Sequence, residues 1–267
     1  MDSRPVLDAS LDGAELDLLC TFAGVSAPFP LRVRSAGPTN AERLRSFRAA
    51  RDRLTARGLA DERGPLGVAD SFVRLLRTCA TTLDLVLAIG DDRLGAVLLA
   101  QRGPAVLGVR DLDDDAHGVR LVELAIDDAV DELLLLIPEL DAAMTTPFNL
   151  PREALGAVYR ALLDRSGDRM DTHAFDELLR RQGIDDRLAN RMVTLLQPVL
   201  GSGQAGLAER GGYAGEWRRV GEELRWLDTE RGRFALAGNS EWMSVNPLFA
   251  SDLAGKIRHL AAAAGGG

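Results

Sequence analysis

Two stretches of this chain, Leu83 to Ile137 and Gln204 to Leu260, carry the same succession of signals: short strands separated by turns, closed by one amphipathic helix. A repeat of that kind constrains the fold to two related halves around a shared sheet. In the first copy Leu83, Leu85, Leu87 and Ile89 alternate with Asp84, Val86 and Ala88, and Gly90-Asp91-Asp92 makes a turn. Two-residue periodicity bounded by Gly and Asp is a hairpin signal. Strands are expected over Leu94 to Gln101, Ala105 to Arg110 and Val119 to Ile126. A helix from Asp128 to Ile137 then places Val130, Leu133, Leu134 and Ile137 on one stripe and stops at Pro138. In the second copy strands are expected at Gln204 to Arg210, Glu216 to Asp228, Arg233 to Ala237 and Trp242 to Asn246. The closing helix is expected to use Asn246 as cap and Pro247 as first residue, with Phe249, Leu253, Ile257 and Leu260 as its buried stripe.

The 267 residues can bury roughly three quarters of the surface that the unfolded chain exposes. Such a core needs no covalent staple, so Cys20 and Cys79, which lack CxxC spacing, read as core thiols in preference to the one disulfide they could form. The first thirty residues have no basic start followed by an apolar run, and no segment approaches a membrane span, which points to the cytoplasm. A net charge of -8 and a pI near 5.0 argue against a nucleic-acid partner, which requires clustered cations. The chain has a single lysine, Lys256, and arginine supplies its other positive side chains.

Helices surround the repeats. Asp12 and Glu15 open one that runs to Phe22 and stops at Gly24, and Thr39 and Glu42 form the capping box of another that ends at Gly58. Pro28 to Val33 reads as an edge strand, since its prolines remove ladder donors. Leu66 to Thr78 is expected to be helical, as are a segment beginning near Pro151, Thr172 to Arg181, and Asp185 to Leu200. Runs of helices followed by runs of strands indicate an α+β fold. The expected form is a mainly antiparallel sheet with helical subdomains on its sides, in two halves at about 1–140 and 141–262 with a flexible tail at 263–267.

No catalytic, cofactor or metal site emerges. Gly201-Ser202-Gly203-Gln204-Ala205-Gly206 fits GxGxxG but follows a helix and enters a strand, the reverse of the phosphate-binding context, so it reads as a helix stop and turn. Asp164, Ser166 and Asp168 begin like a calcium loop, yet the sixth position is Arg169 and the twelfth Phe175. Asp113-Asp114-Asp115 near His117 reads as a solvated turn. His173 and His259 have no nucleophile or carboxylate at a diagnostic spacing. Trp217, Trp226 and Trp242, with Tyr213 beside them, could anchor a protein partner or fill the space between sheet and helices.

Four places in the chain resemble the EspG family of ESX (type VII) secretion-associated proteins of actinobacteria. They are Pro28-Phe29-Pro30-Leu31 after the helix exit at Gly24; the hairpin Leu83 to Gly103; Trp226-Leu227-Asp228-Thr229 with Arg231-Gly232-Arg233-Phe234; and Trp242-Met243-Ser244-Val245-Asn246-Pro247. Phe234 stands where the family often has Tyr. The resemblance implies a cytosolic chaperone, not an enzyme, that binds the helical tip of PE-PPE heterodimers or related WXG-type proteins and delivers them for secretion without nucleotide or metal. It also implies a central, mainly antiparallel sheet flanked by two helical subdomains with pseudo-twofold related halves, and docking on the sheet and the C-terminal helical subdomain, with a hairpin loop contributing. Carried over, that loop is Gly90 to Arg93, which is short here. The expected partner-binding residues are Asp91, Asp92, Arg93, Trp217 and Trp226. Two other readings stay open: a small-ligand-binding protein or enzyme with a pocket between the halves, and an adaptor that binds without delivering.

Overall fold

The computed structural model describes residues 7–32, 39–114, 118–153, 184, 186–211 and 216–266. Their strands are β1 (Leu7–Leu11), β2 (Thr81–Ile89), β3 (Asp92–Ala100), β4 (Pro104–Asp111), β5 (Val119–Ala125), β6 (Phe148–Pro151), β7 (Val199–Gly211), β8 (Glu216–Thr229), β9 (Gly232–Gly238) and β10 (Trp242–Pro247). The helices are α1 (Gly13–Ala23), α2 (Asn40–Ala56), α3 (Val68–Thr78), α4 (Ile126–Leu135), α5 (Asp186–Leu196) and α6 (Ala250–Gly265). The ten strands form one sheet in the order β1-β5-β4-β3-β2-β7-β8-β9-β10-β6. This is an α+β fold, and the order is its own mirror in sequence terms. Each half is a four-strand meander, and each outer edge is the strand that precedes its meander in the chain. β1 pairs antiparallel with β5, and β6 antiparallel with β10.

The chain contacts divide into two compact units. The first comprises Met1–Pro138, Gln204–Glu223 and Ala254–Gly267, and the second Glu139–Gly203 and Leu224–Leu253. In the first unit both faces of the sheet are covered, which explains the nearly continuous burial of β2 to β4. Val97, Leu99, Val106 and Leu121 meet Leu16, Leu19, Phe72, Leu75 and Leu76 from α1 and α3. Each such side chain contributes roughly 1.5–3 kcal/mol when fully buried. Leu83, Leu98 and Leu107 stand opposite one another in register and point to the other face. There α4 closes the layer together with the end of α6, where a Cβ at Gly265 would meet Ile126 and approach Ala100. In the second unit Phe148, Leu150, Leu227, Phe234, Met243 and Val245 pack against Met192 and Leu196 of α5.

Both expected capping boxes are present. Asp12 Oδ1 accepts from the Glu15 amide at 2.9 Å while Glu15 Oε2 accepts from the Asp12 amide at 3.0 Å. Thr39 Oγ1 accepts from the Glu42 amide at 3.3 Å and Glu42 returns the bond at 3.1 Å.

Several expectations are corrected. Pro28 to Arg32 is not a strand: the Leu31 amide bonds back to the Pro28 carbonyl at 2.8 Å, a turn that folds Pro30 over Gly95 and Leu31 over Gly108. Gly201 to Gly206 is not a helix stop but the interior of β7, because α5 already ends at Leu196 before Pro198. Pro247 ends β10 rather than beginning a helix, and α6 runs to Gly265, beyond the tail expected from 263. The helix segments expected after Pro151 and at Thr172 to Arg181, the calcium-like loop, His117, His173 and Tyr213 lie outside the described residues.

Cys20 and Cys79 are free and buried. Burial pushes Cys20 up to about 12, with the nearby Asp17 charge adding to the effect, and Cys79 up to about 11. Because the thiolate is the reactive form, alkylation of the native protein at pH 8 should run ~10³-fold slower at Cys20 and ~10²-fold slower at Cys79 than in the urea-unfolded chain. Mass spectrometry of iodoacetamide time courses measures this, and rapid native labelling of either thiol would contradict the packing described.

Candidate docking surface on the sheet

Ile89 pairs directly with Asp92, so the connection between β2 and β3 is the two residues Gly90 and Asp91. Asp91, Asp92 and Arg93 are all exposed. Arg93 is not a loose cation: its amide and its Nε both donate at 2.7 Å to the Asp113 carboxylate. Those hydrogen bonds hold the Asp113 carboxyl below its ordinary value. The tip therefore offers two carboxylates beside Ile89, on a turn too short to wrap a partner.

The two tryptophans expected to meet a partner are inside the protein. Trp217 is 6% exposed and its Nε1 donates to the Ser26 carbonyl at 2.9 Å. Trp226 is 1% exposed and its ring lies over Gly203, where any Cβ would stand 2.0 Å from the indole. Both rings serve packing, the second of the two roles that the sequence leaves open for them. Trp242, the remaining tryptophan of the set, is 51% exposed.

Register divides the second unit's strands between two faces. Met243 pairs with Leu150 and Val245 with Phe148 and Leu236, and all of these face α5. The alternate positions, Trp242, Ser244 and Asn246 on β10, Asn149 on β6 and Ala235 and Ala237 on β9, point to the opposite face. None of these six is fully buried. The result is a shallow surface of small and polar side chains with one large aromatic at its end. The alternation Trp-Met-Ser-Val makes this assignment available from the sequence once Met243 and Val245 are given to the core.

On the same sheet face, next to the β8–β9 turn, lies a buried ion pair. Asp228 faces Arg233 across the β8–β9 hairpin, and Arg233 Nε and Nη2 bind its two oxygens at 2.6 and 2.7 Å. The turn between them is fixed by Thr229 Oγ1, which accepts from the Arg231 amide at 3.1 Å. Gly232 has φ +113° and would place a Cβ 2.7 Å from the Ala143 amide nitrogen, so no other residue fits. In the first unit a second pair links Asp84 of β2 to Arg219 of β8 at 2.5 and 2.7 Å, with Glu223 on the same guanidinium at 2.9 Å. Burial raises the Asp84 carboxyl, and the Arg219 hydrogen bonds only partly offset that. Among the described residues no group of His, Cys, Asp and Glu could hold a metal ion, and no helix is long and apolar enough to cross a membrane.

The sequence pattern of the EspG family matches residues 12–259. The chain belongs to the EspG family. Among solved structures, this EspG-family chain superposes on the Mycobacterium tuberculosis type VII secretion system chaperone EspG5, determined in complex with a PE25-PPE41 dimer. The TM-score is 0.58 at 14% identity, over 96% of each chain. That likeness establishes a shared fold. A superposition on the peroxisomal multifunctional enzyme type 2 of Drosophila melanogaster reaches a TM-score of only 0.16 at 12% identity, over 91% of this chain and 48% of that one, and carries no structural argument. No curated protein matches the sequence. The Trp226 to Phe234 segment that resembles the EspG family is the β8–β9 hairpin itself, so its Asp228 and Arg233 are the partners of the buried pair.

Proposed function

We propose that this EspG-family chain is a cytoplasmic chaperone that binds helical PE-PPE-like substrates and delivers them to a type VII secretion system, acting by binding alone. The carrying observation is the family match over residues 12–259. The fold shared with EspG5, which was solved on a PE25-PPE41 dimer, supports it. The physical logic is that a secreted helical pair presents apolar surface that self-associates before export, and an interface of about 800 Å² on each partner masks it. Release must follow, which favours moderate affinity. We infer further that the chain acts as one domain of two pseudo-repeat halves, about 1–140 and 141–262. Two patches are assigned to substrate contact, each on its own: the hairpin tip with Asp91, Asp92 and Arg93, and the sheet face that ends at Trp242.

Co-expression with a PE-PPE pair encoded in the same genome is expected to give a soluble stoichiometric complex on size exclusion with light scattering. Trp242→Ala should weaken it about tenfold or more, as removal of an aromatic anchor does. Absence of a complex with every PE-PPE and WXG-type pair tested would refute the chaperone reading. An intact complex unaffected by Trp242→Ala would refute only the patch.

A further inference from the structure

The groove between α1, α2 and the loop leading to α3 differs in character from the sheet surface. Leu18, Leu19, Phe22, Leu44, Phe47 and Leu54 line a volume of about 320 Å³. Phe22 is 47% exposed and Leu44 58%. The aromatic rings are held in place before anything binds. Arg77 lies over Phe22 at 5.1 Å and Arg43 over Phe47 at 4.9 Å. The far wall is a turn in which the Asp61 carboxylate accepts from the Arg63 and Gly64 amides at 2.7 and 3.1 Å. A Cβ at Gly64 would already touch the Phe22 ring at 3.4 Å, so this wall abuts the groove closely.

The α2 side of the rim carries cations, and the opposite wall is mixed in charge. Carboxylates of α1 neutralise three arginines: Asp17 takes Arg43 at 2.8 Å, Asp12 takes Arg53 at 2.7 Å, and Glu15 takes Arg57 at 2.7 Å. Arg45, Arg48 and Arg63 have no carboxylate partner among the described residues, and Arg51 has only its exposed neighbour Asp52 at 3.1 Å. Of these, Arg48, Arg51 and Arg63 line the groove. Two carboxylates also line it, Asp61, whose oxygen is committed to closing the turn, and Glu62. A preformed apolar groove between two helices, whose α2 wall presents Arg48 and Arg51 against Asp52 alone, favours an apolar ligand with acidic side chains along that wall.

We propose that this groove docks an acidic amphipathic helix of a partner protein. Apolar side chains of that helix at i, i+3 and i+4 fill the space between Phe22, Leu44 and Phe47, and its flanking Asp or Glu side chains meet Arg48 and Arg51. The groove shares no residue with the patches assigned to the secreted helical pair, and its occupant is proposed as a second partner.

The test uses the full chain and a fluorescent 18-residue helical peptide with Leu at i, i+3, i+4 and i+7 and Glu on its remaining faces. Its counterpart carries Lys in place of Glu. Anisotropy should show the Glu peptide binding about tenfold or more tightly than the Lys peptide, with affinity falling as salt rises. Leu44→Glu should weaken the Glu peptide about tenfold, and Arg48→Glu by a similar factor, while thermal melts and the complex with the helical pair stay unchanged. Equal binding of both peptides, or indifference to both substitutions, overturns the proposal. So does binding of anionic vesicles through Arg45 and Arg48 without peptide binding, or occupation of the groove by a second copy of the chain.

Discussion

Arg233→Ala should lower stability by about 3–5 kcal/mol, the largest single-site loss in the second unit, because it strands Asp228 in the interior. Both side chains of the pair are buried and the guanidinium is bidentate, so solvent does not screen the remaining charge. The position also carries backbone load. The Arg233 amide donates to Asp141 at 2.8 Å, and its carbonyl accepts from Ala143 at 3.2 Å and Leu248 at 3.0 Å. These backbone bonds survive the substitution, so the loss comes from the side chain, its ion pair and its buried packing together. Against a typical total of about 5–15 kcal/mol, the variant should show a clearly reduced urea midpoint. Replacing both partners, Asp228→Leu with Arg233→Met, should recover much of the loss, since a buried pair often exchanges for apolar packing at little cost. A single Arg233→Ala variant with an unchanged midpoint would show that water reaches Asp228.

What the sequence makes legible follows from how local each signal is. The capping boxes at Asp12 and Thr39 and the meander from Leu83 to Ala125 depend on neighbouring residues and are read directly. β1 and β6 are not. They are short edge strands whose existence depends on β5 and β10 at long sequence separation, and neither Leu7–Leu11 nor Phe148–Pro151 carries an alternation long enough to stand alone. The GxGxxG segment misleads for a related reason. Its glycines answer to side chains on a neighbouring strand, Trp226 over Gly203 and Arg219 over Gly206, and no local rule reports that. For the docking surface, residue type alone places tryptophans outward, whereas the neighbouring strand decides. Trp226 pairs with Ala235, and its ring turns over the bare backbone of Gly203; Trp242 shares the same sheet face but sits at its open end.

Arg219→Ala should be destabilising in a pH-dependent way. Asp84 is 1% exposed in its side chain and Arg219 30%, so the cost arises from the carboxylate left behind, and about 2–3 kcal/mol at pH 7 is expected, toward the lower end for a broken buried pair. Burial already raises the folded Asp84 carboxyl, and the hydrogen bonds and charge of Arg219 are what hold it down. Without Arg219 it rises further, helped by the negative charge of Glu223, which loses the same partner. A carboxylate whose folded pKa lies above its unfolded value of about 3.9 binds the proton more tightly in the native state, so stability falls as pH rises through that window. The variant should therefore lie nearest the parent protein at about pH 4 and furthest below it at pH 7 to 8. Adding Asp84→Asn should restore part of the loss at pH 7 and flatten the difference across pH, because the amide has no charge to desolvate. Urea midpoints of the three proteins at four pH values measure this, and a destabilisation by Arg219→Ala that is constant from pH 4 to 8 would mean that the guanidinium contributes packing over Gly206 rather than charge to Asp84.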